Sequence, residues 1–264
     1  MAVAGRARVE AARAREPLAA LRARAAECPV PPALRLDPRG FDLIAEVKLR
    51  SPSAGSLADD TLDPVAQAVS YATAGAAAVS VLTEPREFGG SLAHLEAVAA
   101  ALGPIGVPAM RKDFLVDVYQ LWEARAAGAG GVLLILAMLD NRAVIDLVQA
   151  AAEAGLFVLL EAFDGAELER AAMLLPRLAE AEVLLGLNCR DLRSLEVDRQ
   201  RFEMLRDRFA PGWPSVAESG LASAEDAAWV SGLGYDLALV GSSLMRAAAP
   251  GELLAEMLAA GRAA

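Results

Sequence analysis

The chain has 264 residues, 55% of them hydrophobic, and a formal net charge of −10. That length and apolar fraction suffice for one large core, and an acidic balance without a clustered basic face excludes a nucleic-acid footprint or an anionic membrane surface. Cys28 and Cys189 stand far apart without CxxC spacing or neighbouring histidines, which suggests neither a disulfide framework nor a zinc site and fits a reducing cytoplasm.

In chain order, the first segment carries Arg6, Arg8, Arg13, Arg15, Arg22 and Arg24, with Glu10, Glu16 and Glu27 among them. Transit peptides are poor in acids, so a solvated leading helix is the expectation. From Pro29 to Asp42, Pro31, Pro32, Pro38 and Gly40 break regular structure, making residues 1–40 a helical extension and joint. Apolar runs such as Val132 to Leu139 fall far short of the roughly 20 residues of a membrane-spanning helix.

Beyond the joint, short flat apolar runs alternate with alanine-rich stretches of helical period. Strands are predicted over Leu43–Lys48, Ala78–Leu82, Val107–Arg111, Gly131–Ile135, Phe157–Glu161, Val183–Leu187, Ser215–Glu218 and Leu237–Val240. Helices are predicted over Pro64–Ala74, Ser91–Ala101, Val118–Ala127, Asn141–Ala154, Gly165–Leu174, Arg199–Arg208 and Ala224–Ser231. Gly75, Gly128, Gly155 and Gly232 mark helix ends, and Pro64 and Ser223 mark starts. Eight such units with right-handed crossovers close most simply into a (β/α)8 TIM barrel, a single domain over residues 1–264. An open doubly wound sheet is the other architecture, but no GxGxxG follows the first strand and no GxxxxGK[ST] occurs.

Of the 25 lysines and arginines only Lys48 and Lys112 are lysine. Arginine stays protonated, whereas lysine can exchange a proton or form an imine, so two retained lysines point to chemistry. In barrel enzymes the functional groups come from the C-terminal strand ends. Alternation puts Glu46 and Lys48 on one side of the first strand. Lys112 ends the third strand, Glu161 the fifth and Glu218-Ser219 the seventh, while Asn188 and Arg190 follow the sixth. Lysines and carboxylates in a partly dry mouth shift one another's pKa values, which suits general acid–base work. A rim of structural salt bridges is the alternative.

Ser219-Gly220 after strand seven and Gly241-Ser242-Ser243 after strand eight offer backbone amides where barrels commonly bind phosphate. Ser51 in the first loop adds a hydroxyl. His94, the only histidine, lies in a helix where a surface role is expected, and no serine triad or metal site can be assembled around it.

Several blocks now combine: Ile44-Ala-Glu-Val-Lys48 with Ser51-Pro-Ser53; Ser80-Val-Leu-Thr-Glu84 with Phe88-Gly-Gly-Ser-Leu92; Arg111-Lys-Asp-Phe114 with Tyr119-Gln120; Gly186-Leu-Asn188 with Arg190-Asp-Leu192; Glu218-Ser-Gly220; and Val240-Gly-Ser-Ser-Leu-Met-Arg246. Together, from about Phe41 to Pro250, they resemble the indole-3-glycerol-phosphate synthase family, whose extra N-terminal segment the leading helix matches.

The resemblance implies a carboxy-lyase of tryptophan biosynthesis that needs no cofactor or metal and acts on a small anthranilate-bearing sugar phosphate. It implies that Lys112 protonates the C2′ carbonyl oxygen as the ring carbon attacks, and that Glu161 and Lys48 handle the protons of dehydration, Glu161 as base. Glu46, Asn188, Arg190, Glu218 and Ser219 then orient the anthranilate nitrogen, its carboxylate and the sugar hydroxyls. Phe88, Phe114 and Leu133 wall the aromatic ring, and Ser51, Gly220, Gly241 and Ser242 hold the phosphate. A cytoplasmic monomer or weak homodimer is expected.

The chain departs from the family's usual pattern at Phe163 and Cys189, neither of which carries the chemistry, and at Ala54, a loop position where lysine is frequent, a change expected to soften phosphate binding without removing the backbone amides. Two other readings keep the barrel. One is an aldolase with an imine on Lys48 or Lys112, which borohydride trapping would reveal. The other is a ligand-binding barrel without activity. The Arg-Lys-Asp-Phe block favours the ring-closing enzyme over the related phosphoribosylanthranilate isomerase.

Overall fold

The computed structural model describes residues 2–51, 55–56, 63–178, 180–191 and 194–264. Eight parallel strands form its centre: β1 (Asp42–Val47), β2 (Ala78–Leu82), β3 (Ala109–Lys112), β4 (Gly131–Ile135), β5 (Phe157–Ala162), β6 (Val183–Asn188), β7 (Ser215–Glu218) and β8 (Leu237–Val240). Each pairs with its neighbours in sequence, and β1 pairs with β8, so the sheet closes into the expected barrel. Four strands have the predicted bounds. The third begins at Ala109 rather than Val107, since Pro108 has no amide hydrogen to donate. The fifth and sixth each run one residue further, to Ala162 and Asn188.

Both faces of these strands are buried, by different partners. Leu43, Ala45, Val47, Val132 and Leu134 pack outward against the helices. Their alternates Ile44, Met110, Leu133, Leu159, Val216 and Leu239 fill the barrel interior. Inward residues from alternate strands stack in layers. One step above Ile44, Met110, Leu159 and Val216, the inward positions of β1, β3, β5 and β7 are Glu46, Lys112, Glu161 and Glu218. The interior thus changes from hydrocarbon to charge at the C-terminal ends.

The barrel helices are α3 (Pro64–Thr73), α4 (Leu92–Leu102), α5 (Val118–Ala126), α6 (Asn141–Glu153), α7 (Gly165–Leu174), α8 (Arg201–Leu205) and α9 (Ala224–Gly232). Side chains of Asp63, Ser91, Asp117, Asp140, Asp164 and Ser223 accept hydrogen bonds from first-turn amides, satisfying donors a helix start leaves free. The helix predicted over Arg199–Arg208 is shorter: α8 ends at Leu205 and passes into a 3-10 turn. After β8 come α10 (Ser242–Arg246) and α11 (Pro250–Ala263). No helix among the described residues is long and apolar enough to cross a membrane.

The N-terminal extension differs from the single helix expected. Pro17, extended at φ −60 and ψ 149, separates α1 (Ala2–Arg15) from α2 (Leu18–Glu27); a proline inside a helix removes a bond and clashes with the preceding turn. The pair lies against α5, where Val9, Ala12, Leu21 and Ala25 bury with Tyr119 and Ala126. Arg24 grips Glu16 through two bonds of 2.9 and 2.8 Å across the break. The joint that follows also contributes to the core, since Leu34 inserts its side chain into the interior cluster.

Gly131 stands opposite Phe157 in the β4–β5 register. A Cβ there would lie 2.3 Å from the Phe157 ring, whereas one on Gly232 would meet open space. Gly131→Ala is expected to lower stability by about 1–3 kcal/mol, the usual cost of overpacking. Gly232→Ala, exposed in the last turn of α9 and without a positive φ, is expected to be neutral or to stabilise by about 0.4–1 kcal/mol. Urea unfolding of both variants checks this, and equal losses would overturn it.

Candidate active site

The charged layer forms the floor of a cavity of about 630 Å³ that opens among the loops after the strands. Alternation along β1 directs Glu46 and Lys48 to the same side, and their head groups pair at 2.6 Å. Lys112, from the end of β3, places its ammonium 3.9 Å from Glu46 and 3.7 Å from Glu161. Burial alone would lower the pKa of Lys112, but Glu161, Glu46 and Glu218 outweigh it and push the value up, so the side chain stays an ammonium ion. Burial likewise works to raise Glu46, and Lys48 and Lys112 prevail to hold it below the ordinary carboxylate range.

Glu218 is in the opposite situation. It is 1% exposed, and neither carboxylate oxygen receives a hydrogen bond from the described residues. Burial raises its pKa well above the ordinary value, and the neighbouring charge of Glu161 raises it further. Both causes favour the neutral acid over the carboxylate.

Asn188 ties this layer to the loops. Its amide nitrogen donates to Glu161 at 3.1 Å, and its amide oxygen accepts from the Ser219 hydroxyl and the Arg190 backbone amide, both at 2.9 Å. Ser219 and Gly220 both adopt left-handed backbone, with φ 74 and 80, a conformation a non-glycine residue holds at a cost. The Arg190 guanidinium donates to the Leu195 carbonyl at 2.9 Å. Two glycines make room for the acids: a Cβ on Gly186 would lie 2.0 Å from Glu218 Oε1, and one on Gly241 would lie 2.4 Å from Glu46 Oε1.

One wall is apolar. Phe88 and Phe114 tilt at 53° with ring centroids 6.4 Å apart, and Leu133 lines the same space. Gly220, Gly241 and Ser242 line another part of the cavity. The side chain of Ser51 and all of Ala54 lie outside the described residues. Every other predicted site residue lines this one cavity.

Some members were not anticipated. Arg8 of α1 reaches Asp113 at 2.6 Å and Glu84 at 3.7 Å. Asp113 also accepts from Thr83, Arg111 and the Phe114 amide. Burial raises its carboxyl, but Arg111 and Arg8 outweigh that and hold it below the usual range. The extension thereby braces the two loops that carry Phe114 and Phe88. A Cβ on Gly5 would lie 3.1 Å from the Phe114 carbonyl oxygen, so α1 approaches closely. Among the other candidates for chemistry, Cys189 is fully buried, and burial pushes its thiol up to about 12, which removes it as a nucleophile. His94 lies in the first turn of α4 and does not line the cavity.

Fold and site together define a (β/α)8-barrel enzyme equipped for general acid–base chemistry. The family model for indole-3-glycerol phosphate synthase matches residues 2–257. Indole-3-glycerol phosphate synthase of Streptomyces griseus subsp. griseus is 45% identical over 222 residues, covering 84% of this chain and 79% of the relative. That of Parafrankia sp. is 44% identical over 247 residues, 92% of this chain and 88% of the relative. The chain belongs to the indole-3-glycerol phosphate synthase family. Among solved structures, 3-hexulose-6-phosphate synthase from Salmonella typhimurium superposes with a TM-score of 0.61 at 14% identity, covering 83% of this chain and 98% of that one, a likeness of fold alone.

The protonated Glu218 sets a sign for pH dependence. Below the ordinary glutamate value of 4.5 the group is neutral in the folded and the unfolded chain alike. As pH rises the unfolded chain ionises first, so stability is lost progressively up to the raised folded value. Glu218→Gln removes that loss. As pH rises above 4.5 the thermal midpoint of the wild type is expected to fall relative to the variant; a difference that does not change with pH would overturn the assignment.

Proposed function

We propose that the cavity converts 1-(2-carboxyphenylamino)-1-deoxyribulose 5-phosphate into indole-3-glycerol phosphate, carbon dioxide and water, the carboxy-lyase step of tryptophan biosynthesis. The observation that carries this reading is the Lys112 ammonium, held between Glu46 and Glu161 beside an aromatic wall. A cation kept charged in a partly dry site is suited to an oxygen that gains negative charge during reaction.

The aromatic ring packs among Phe88, Phe114 and Leu133. Arg190 has one nitrogen committed to the Leu195 carbonyl, and the rest of its planar fork can receive the ring carboxylate. The phosphate extends to Gly220, Gly241 and Ser242, where backbone can approach it closely. Ser51 belongs to the same expected set. Asn188, Ser219 and Glu218 face the sugar hydroxyls and the amine nitrogen, where a neutral Glu218 can donate as well as accept.

Ring closure begins when the ring carbon bearing the carboxylate bonds to C2′. Lys112 delivers its proton to the carbonyl oxygen as that bond forms. The bond to the carboxylate then breaks, and its electron pair restores aromaticity as carbon dioxide leaves. In the second stage Glu161 removes a proton from C1′ while the C2′ hydroxyl, protonated by Lys48, departs as water and completes the indole. Glu46, kept ionised, holds Lys48 in place at 2.6 Å. No imine is required at either lysine.

Indole fluorescence during incubation with this substrate tests the proposal. The wild type is expected to form product, and Lys112→Met to lose about 10²- to 10⁴-fold in rate, the contribution of a positioned acid, while still binding the substrate. A wild type that binds the substrate and forms no indole would overturn the reading in favour of a ligand-binding barrel.

A further inference from the structure

Arg246 ends α10, whose buried Leu244 and Met245 fix the helix to the barrel. The Ser243 hydroxyl donates to the Leu221 carbonyl at 3.1 Å, joining the loops after β7 and β8. Helical side chains lean toward the N-terminus, so a residue in the last turn covers the turn before it. For Arg246 that turn contains Ser242 and Ser243, and all three line the cavity beside Gly220 and Gly241.

The charge balance of the cavity gives this position meaning. Its lining acids outnumber its bases. Lys48 is committed to Glu46, Lys112 lies between Glu46 and Glu161, and Arg190 donates to the Leu195 carbonyl. Arg246 is exposed and, among the described residues, has no hydrogen-bond or ion-pair partner. A dianion entering an acidic cavity is repelled unless a cation answers it, and amides and hydroxyls offer only dipoles. A guanidinium matches phosphate with two parallel donors.

We propose that Arg246 is the cation that binds the substrate's phosphate. This rests on the reading of Gly220, Gly241 and Ser242 as the phosphate end. The group acts on binding rather than on chemistry, because it holds a part of the substrate that does not react.

Steady-state turnover with inorganic phosphate as competitive inhibitor, beside calorimetric titration with inorganic phosphate alone, tests it on Arg246→Gln and Arg246→Lys. In Arg246→Gln both KM and the phosphate inhibition constant are expected to rise about tenfold to a hundredfold, the range for losing a hydrogen bond to a charged group. Its kcat should be retained, and kcat/KM should depend less on salt than in the wild type. Arg246→Lys should recover part of the affinity and guards against a general loss of fold. Unchanged KM and phosphate affinity in Arg246→Gln, or a fall in kcat alone, would overturn the proposal. If the wild type forms no indole, the reaction reading fails, while the phosphate titration still decides whether Arg246 holds the anion.

Discussion

Three glutamates and two lysines share the C-terminal mouth of this barrel, and the rest of the site is arranged around the cost of burying them. Moving a single ion out of water costs several kcal/mol unless partners compensate. Lys112 meets that cost by standing among the acids, Lys48 by pairing with Glu46, and Glu218 by giving up its charge. The balance works only as a group. Removing Lys112 would leave Glu161 and Glu46 facing each other without the cation between them, and ionising Glu218 would add a third uncompensated negative charge. A binding chamber and an acid–base apparatus therefore arise from the same choice, which is to place charge where the layers below hold hydrocarbon.

That choice reaches into parts of the chain remote from the strands. Asn188 uses its whole amide to join the fifth, sixth and seventh strand ends, which fixes which end of the amide faces Glu161. Ser219 keeps a left-handed backbone whose cost the neighbouring bonds must cover. On the far side, α1 lies outside the barrel, yet its Arg8 reaches the acid that follows Lys112. The extension thereby braces the loops that carry Phe88 and Phe114 from behind.

Much of this was legible in the sequence because barrels place function by rule. Flat apolar runs located the strands, and the residues at their ends, Glu46, Lys48, Lys112, Glu161, Asn188 and Glu218, all line one cavity. The scarcity of lysine singled out two of them. What escaped was set by contacts between distant segments. No local pattern says that Arg8 meets Asp113, 105 residues away, or that Leu34 from a proline-rich joint enters the interior. The raised pKa of Glu218 depends on its burial beside Glu161, which is a property of the packed layer alone. Pro17 was visible, but a helical pattern on both sides of it concealed the break.

The two glycines under the acids give the site a direction of change. A side chain at position 186 becomes admissible only after the residue at 218 has shortened, whereas shortening 218 needs no prior change at 186; at 241 the Cβ of residue 46, 3.0 Å from an added Cβ, would remain in the way. Such contacts make the effect of one substitution depend on whether another came first. Drift in this pocket consequently acts as a ratchet. A descendant that lost Glu218 would be free to fill the space above Gly186, and from then on no single reversal would restore the original layer.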